Sequence, residues 1–307
     1  MPRDLHPAHQ TLLFGVDFTS APRSAKPITV AVARASVSSL ALESLLRFES
    51  LPDWQHWLGT PGPWVGGFDF PFGLPRGFVD ALGWARPGIR QNEQLFSADR
   101  PDPESESESE SGPWAAVTRH LARLSRAELV AACRSWCDAR PPGDKFAHRQ
   151  TDRIAGSSPS MKWVNPPVVL MLQVGAPALL QAGVTLPGLH TGPTDPARIA
   201  LEAYPGQTAR ALVGRASYKS DDPKYRRCEQ RREARHHIIT ALQAGRAPFS
   251  APVDLGRWAQ PCLDDPGADL LDAVLCLTQT HRAWQARTRG WGLPSNVDPI
   301  EGWIIAQ

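Results

Sequence analysis

No stretch of this 307-residue chain approaches the ~20 consecutive apolar residues that a membrane-spanning helix needs. The first ten residues are polar, contain Pro2 and Pro7, and lack the apolar core of a signal peptide. These absences predict a soluble, cytoplasmic protein. The five cysteines, at 133, 137, 228, 262 and 276, form no CxxC pair, and no histidine cluster of zinc spacing lies near them. A reducing compartment fits that usage. Cys133 and Cys137 stand one helical turn apart, as core residues do. There is no GxSxG, no GxGxxG and no GxxxxGK followed by Ser or Thr, and the nine histidines form no HExxH. An excess of one charge is missing too. The formal net charge of +2 advertises no global field for nucleic acid, which leaves only a local basic face open.

Apolar residues are well supplied, at 42% of the chain with eleven tryptophans and ten phenylalanines, enough for one large domain or two modest ones. Strands are predicted over 11–18, 27–35, 63–70 and 198–204, the second antiparallel to the first. Residues 40–48 read as a third strand or a short helix. Helices are predicted over 52–58, capped by Asp53, from Arg76, over 126–139, 205–213, 222–243 and 266–287. Ser125 and Glu128 have the spacing of a capping box. Residues 166–182 read as a buried helix that Gly175 and Pro177 should break or kink. A last short strand is expected over 301–306. The stretch 140–160 reads as irregular. The alternation ESESESES at 104–111 has nothing to bury and is expected to be a mobile, disordered surface loop. Hairpin strands followed by strands alternating with helices predict an α/β fold with a mixed sheet and helices on both faces.

Three of these apolar strands end in an acid: Asp17, Asp69 and Glu202. Burying an ionised carboxylate is costly unless it is paired or binds a metal. The helix at 266–287 adds Asp269 and Asp272, three residues apart and so on one face, a stripe continued by Cys276 and Gln279. Mg²⁺ and Mn²⁺ take oxygen donors, and a two-metal site needs several of them. Each acid alone also has a structural reading. Asp269 and Asp272 lie where the helix dipole favours negative charge, and Asp17 and Asp69 each precede a turn.

Several segments together resemble the family called domain of unknown function 429: Gly15-Val16-Asp17-Phe18-Thr19-Ser20, Gly67-Phe68-Asp69-Phe70-Pro71, Lys162-Trp163-Val164-Asn165-Pro166-Pro167, Leu201-Glu202-Ala203-Tyr204-Pro205, Leu271-Asp272-Ala273 and Asp298-Pro299-Ile300-Glu301-Gly302-Trp303. They span nearly the whole chain in order. The resemblance implies a single ribonuclease-H-like domain over 1–307, with an irregular insertion around 86–160. It also implies a nuclease, with Asp17 on the first strand, Asp69 on the fourth, Glu202 in place of the acid on the fifth, and Asp269 and Asp272 as the Asp-x-x-Asp of the last helix. The Glu-Ser tract is not part of the family pattern.

The functional expectation is a Mg²⁺- or Mn²⁺-dependent nuclease with nucleic acid as partner. Asp17, Asp69, Glu202 and Asp272 would be catalytic, and Asp269 would join them as a metal ligand. Arg215 and Lys219 would meet phosphate and Tyr218 would stack on a base. Lys162, with Arg149 and Arg153, forms a second basic set suited to phosphate or to loop solubility. The basic residues of 222–243 are interleaved with Glu229 and Glu233 and read as a solvated helix. One alternative is a nucleotide-binding phosphotransferase of the actin and sugar-kinase type. Asp17-Phe18-Thr19 resembles its first phosphate loop, while Phe70 departs from the Asp-x-Gly of its second. The other alternative is a catalytically silent nucleic-acid-binding protein.

Overall fold

A computed structural model describes residues 11–85, 112–193, 195, 197–225 and 227–305. The Glu-Ser tract lies outside the described residues. Strands β1 (Leu12–Asp17), β2 (Ile28–Arg34), β3 (Leu40–Phe48), β4 (Trp64–Phe68), β5 (Arg198–Glu202) and β6 (Val253–Asp254) form one sheet in the order β5-β4-β1-β2-β3-β6. β1, β2 and β3 are antiparallel neighbours, and β4 and β5 run parallel to β1. The chain is therefore α/β with a mixed sheet. The apolar alternation of 40–48 resolves to a strand. The pairing of β6 with β3 was not foreseen, because two residues carry no periodicity.

Side chains alternate across each strand. On one face Leu13, Val65, Ile199 and Leu201 join a core with α8 (Glu229–Gln243) and α10 (Asp269–Gln285). On the other, Phe14, Val16, Trp64 and Phe68 join a core that includes α1 (Leu51–Leu58), α2 (Arg76–Leu82), α3 (Gly112–Arg123), α4 (Arg126–Asp138) and α6 (Val168–Gln181). Cys133 and Cys137 are buried in this second core. Three short helices complete the set: α5 (Gln150–Ala155), α7 (Pro205–Val213) and α9 (Ala259–Asp264). Among the described residues, no helix is long and apolar enough to cross a membrane.

Several local expectations change. Ser50, not Asp53, caps α1: the Asp53 N–H donates to Ser50 Oγ at 3.3 Å, and Ser50 Oγ donates back to the Asp53 carboxylate at 2.6 Å. Asp53 thus occupies the third helical position. The capping box of α4 forms as the Ser125 and Glu128 spacing implies. Helix α6 runs through Gly175 and Pro177. Gly175 is there for space, since a Cβ would strike the Phe70 ring. The stretch 140–160 contains α5, whose N-cap Arg149 is held by a tertiary ion pair to Glu202 that local sequence does not reveal. The helix expected from 222 begins only at Glu229, preceded by a 3₁₀ turn at Pro223–Tyr225. Of the strand expected at 301–306, the described residues 301–305 form a single bridge, between Ile304 and Glu202.

Two glycines set the position of the last helix. Gly15 and Gly67 are register partners on β1 and β4, and α10 crosses directly over them. A Cβ on Gly15 would overlap the Ala273 carbonyl and the Leu277 backbone, and one on Gly67 would overlap Thr280 Oγ1. Thr280 Oγ1 then donates to the Phe14 carbonyl at 2.9 Å. Gly15→Ala is expected to cost about 3 kcal/mol, the upper part of the overpacking range, because backbone cannot rotate aside. Urea unfolding measures this, and an unchanged midpoint would disprove the close approach.

Candidate functional site

The parallel strands all deliver their carboxyl ends to one place, where ligands of α/β sheets bind. Asp17 is the last residue of β1. Asp69 follows β4, with its N–H donating to the Val16 carbonyl at 2.9 Å. Glu202 ends β5, paired in register with Phe68. The close crossing at Gly15 and Gly67 lays the first turn of α10 beside them, carrying Asp269 and Asp272. A cavity of about 590 Å³ opens there, with Asp17, Asp69 and Glu202 in its wall together with Lys26, Tyr204 and Arg210.

The five acids are not equivalent. Asp272 is fully buried. It accepts from Tyr218 Oη at 2.6 Å and forms a very short ion pair with Lys219 Nζ. Asp269 is paired with Lys26 Nζ at 2.5 Å, and the same ammonium reaches Asp221 at 3.1 Å. Glu202 is held by the guanidinium of Arg149 through both oxygens, at 2.6 and 2.8 Å, and by the Phe72 N–H at 2.9 Å. Asp17 and Asp69 differ: neither carboxylate accepts a hydrogen bond from a described residue, and neither forms an ion pair. Asp17 is only 8% exposed, and the negative neighbours Asp272 and Asp269 lie close to it.

Burial first, and then the charges of Asp272 and Asp269, push the Asp17 carboxyl well above its ordinary range. Burial raises Asp69 from 3.8 to about 7; Lys219 opposes the shift, and Asp272 and Glu202 add to it. Burial alone would lower the Lys219 ammonium, yet Asp272, Tyr218 and the neighbouring acids hold it well above its usual value. Between about pH 4 and 7 the folded protein therefore keeps a proton on Asp69 that the unfolded chain has released. Stability of the metal-free protein is expected to fall as pH rises through that window. Asp69→Asn should flatten this part of the profile. Melting temperature against pH in the presence of a chelator tests it; a profile that rises toward pH 7 would contradict the assignment.

The basic residues sort differently from expectation. Lys219 lies in the cavity wall, but Arg215 is exposed outside it. Tyr218 is buried in the core with its hydroxyl on Asp272, so it is not a free stacking platform. Lys162 donates to the Asn165 carbonyl at 2.7 Å and does not line the cavity. Arg149 is buried, and all five of its N–H groups are used: on Asp152, on Glu202 and on the Glu301 carbonyl. It has no donor left for a phosphate. Helix α8 is not simply a solvated helix: Arg235 is buried and donates to the Tyr218 carbonyl at 2.9 Å, and Arg231 donates to the Lys219 carbonyl. These two arginines fix the loop that presents Lys219. Lys26, Tyr204 and Arg210 were missed at the sequence level, since an isolated cation in a loop or a tyrosine after a strand has no pattern. Arg210 donates to the Tyr204 hydroxyl at 3.0 Å.

Among the described residues, no three His, Cys, Asp or Glu side chains stand ready to close on one metal ion. The side-chain partners explain this. Lys219, Lys26 and Arg149 occupy three of the five acids, leaving Asp17 and Asp69 as open oxygen donors. Of those two, Asp17 is buried and Asp69 half-buried. No family model, curated protein or solved structure matches the chain.

Proposed function

We propose that this chain is a divalent-metal-dependent nuclease of ribonuclease-H-like architecture, cleaving phosphodiester bonds in the cavity at the ends of β1, β4 and β5. The observation that carries this reading is Asp17, a carboxylate buried at the cavity wall near Asp69 that, among the described residues, accepts no hydrogen bond and forms no ion pair. Such a group is stable only if a cation arrives or a proton is retained. Hard oxygen donors select Mg²⁺ or Mn²⁺ over softer metals. The antiparallel strands β1 to β3, followed by parallel β4 and β5, agree with the architecture that the sequence motifs imply.

Asp17 and Asp69, the cavity-wall acids without an ion pair, would hold the metal, which would supply an activated water and a counter-charge for phosphate. The protein's own part is positional. Lys26, Lys219 and Arg210 bring positive charge to the cavity wall. Tyr218, braced by Arg235, holds the Asp272 carboxylate in one orientation. The apolar wall of Phe18, Phe70 and Met171 limits water around the acids.

The test combines a metal titration with cleavage assays on single-stranded, duplex and branched DNA and RNA. Mn²⁺ is expected to raise the melting temperature, and cleavage is expected to need Mn²⁺ or Mg²⁺. Stabilisation by ATP in place of Mn²⁺ would favour a phosphotransferase. Oligonucleotide binding with no response to metal would favour a silent binding protein.

A further inference from the structure

We infer that Tyr204 is a base-stacking platform and that the cavity takes one unpaired nucleotide at a time, so that the nucleic acid cleaved there is single-stranded. This rests on the nuclease reading above and names its substrate class.

The case begins with depth. Asp17 is 8% exposed and Glu202 3%, so a scissile bond meets these acids only from inside the cavity. The volume of about 590 Å³ falls in the range that takes one drug-sized molecule, about 300–1,000 Å³. A single nucleotide is of that size. A paired and stacked nucleotide enters such a space only by leaving its duplex, and that cost is least where the strand is already single.

Tyr204 supplies what an unpaired base needs. Every base has a π-face, and an aromatic side chain can replace the neighbour it has lost. Of the other aromatic residues in the cavity wall, Phe18 and Phe70 pack on each other with ring centroids 4.7 Å apart, and Tyr218 is buried on Asp272. Tyr204 is half-buried in the same wall and pairs with no aromatic ring among the described residues.

The platform is also rigid. Its main chain is clamped by Gln279, the last member of the stripe on α10: the Tyr204 N–H donates to Gln279 Oε1 at 2.8 Å, and Gln279 Nε2 donates back to the Tyr204 carbonyl at 2.8 Å. Gln279 is fully buried and donates also to Thr208 Oγ1 at 3.0 Å. At the far end of the ring, the hydroxyl accepts from Arg210 Nη2 at 3.0 Å, and Arg210 Nη1 donates to the Ala155 carbonyl at 3.3 Å. Gly206 makes room for the ring, since a Cβ there would come within 2.8 Å of it. A ring held at both ends has little freedom left to lose when a base stacks on it. The half-buried Val168, Met171 and Val213 extend the apolar wall, and Lys26, Lys219 and Arg210 bring charge for the strand's phosphates.

The experiment is fluorescence anisotropy of labelled oligonucleotides on the full chain in chelator, which reads binding apart from metal and cleavage. A short single strand is expected to bind at least about tenfold more tightly than the blunt duplex of the same sequence, Tyr204→Ala to lose about tenfold of that affinity, and Tyr204→Phe to keep most of it. 2-Aminopurine in the strand is expected to be quenched by the wild type and not by Tyr204→Ala. A duplex bound as tightly as the single strand, or full affinity in Tyr204→Ala, would overturn the inference; Mn²⁺-dependent cleavage of the duplex would then leave the nuclease reading intact. A mononucleotide that competes as well as the strand would give the platform to a free nucleotide and overturn the single-strand assignment. No binding of any oligonucleotide would overturn the inference, and no cleavage with Mn²⁺ as well would overturn both. If Tyr204→Ala does not fold, the wild-type preference and the 2-aminopurine signal decide alone.

Discussion

Asp17→Asn is expected to abolish divalent-ion binding and phosphodiester cleavage while leaving the metal-free protein at least as stable as the wild type. Two opposite effects meet at this residue. In the metal-free protein its charge is a liability: it is buried, lies near Asp272 and Asp269, and has no hydrogen-bond donor among the described residues. Replacing it with a neutral amide of the same shape removes that repulsion. With metal present the same charge becomes an asset. A ligand at a hundred times its dissociation constant stabilises a protein by about 2.7 kcal/mol, and Asp17→Asn is expected to lose nearly all of that gain. The sign distinguishes this from a structural aspartate, whose loss from a helix cap would cost about 0.5–2 kcal/mol without metal. Melting curves of both proteins, with chelator and with Mn²⁺, measure the two effects. A lower melting temperature in chelator together with an unchanged Mn²⁺ response would remove Asp17 from the site.

Arg149→Met is expected to be the most destabilising single change at this end of the sheet. The variant keeps most of the side-chain volume but leaves Glu202 and Asp152 buried without their cation. Breaking a buried pair from one side typically costs about 3–5 kcal/mol, because the orphaned charge pays its full desolvation. The damage should be local in origin. The double variant Arg149→Met with Glu202→Gln removes one orphaned charge and should recover part of the loss. Urea unfolding of the single and double variants gives both numbers. A double variant no more stable than the single one would show that the cost lies in packing rather than in charge.

The elements that could be read from the chain are those whose periodicity is local. The strands at 12–17, 28–34, 64–68 and 198–202 follow from runs of apolar residues, and the capping box at Ser125 from a three-residue spacing. Acids at the ends of three such strands, with two more on one helix face, pointed to a shared cavity. That much depends only on alternation and on the cost of burying charge. Helix α3 has an amphipathic pattern that lay hidden inside a stretch read as an insertion, and α5 is too short to show one.

What only the tertiary structure decided is which acids are free. Asp17, Asp69, Glu202 and Asp272 look alike in sequence, each set among apolar neighbours. Their partners come from far along the chain: Arg149 is 53 residues from Glu202, Lys219 is 53 from Asp272, and Lys26 is 243 from Asp269. No local pattern encodes such a pairing, because it depends on where the folded chain brings side chains together rather than on spacing along it. The sequence by itself determined where carboxylates would be placed, through strand ends and a helix face. The fold determined their partners, by giving Glu202 an arginine and Asp269 and Asp272 lysines, while Asp17 and Asp69 form no ion pair among the described residues.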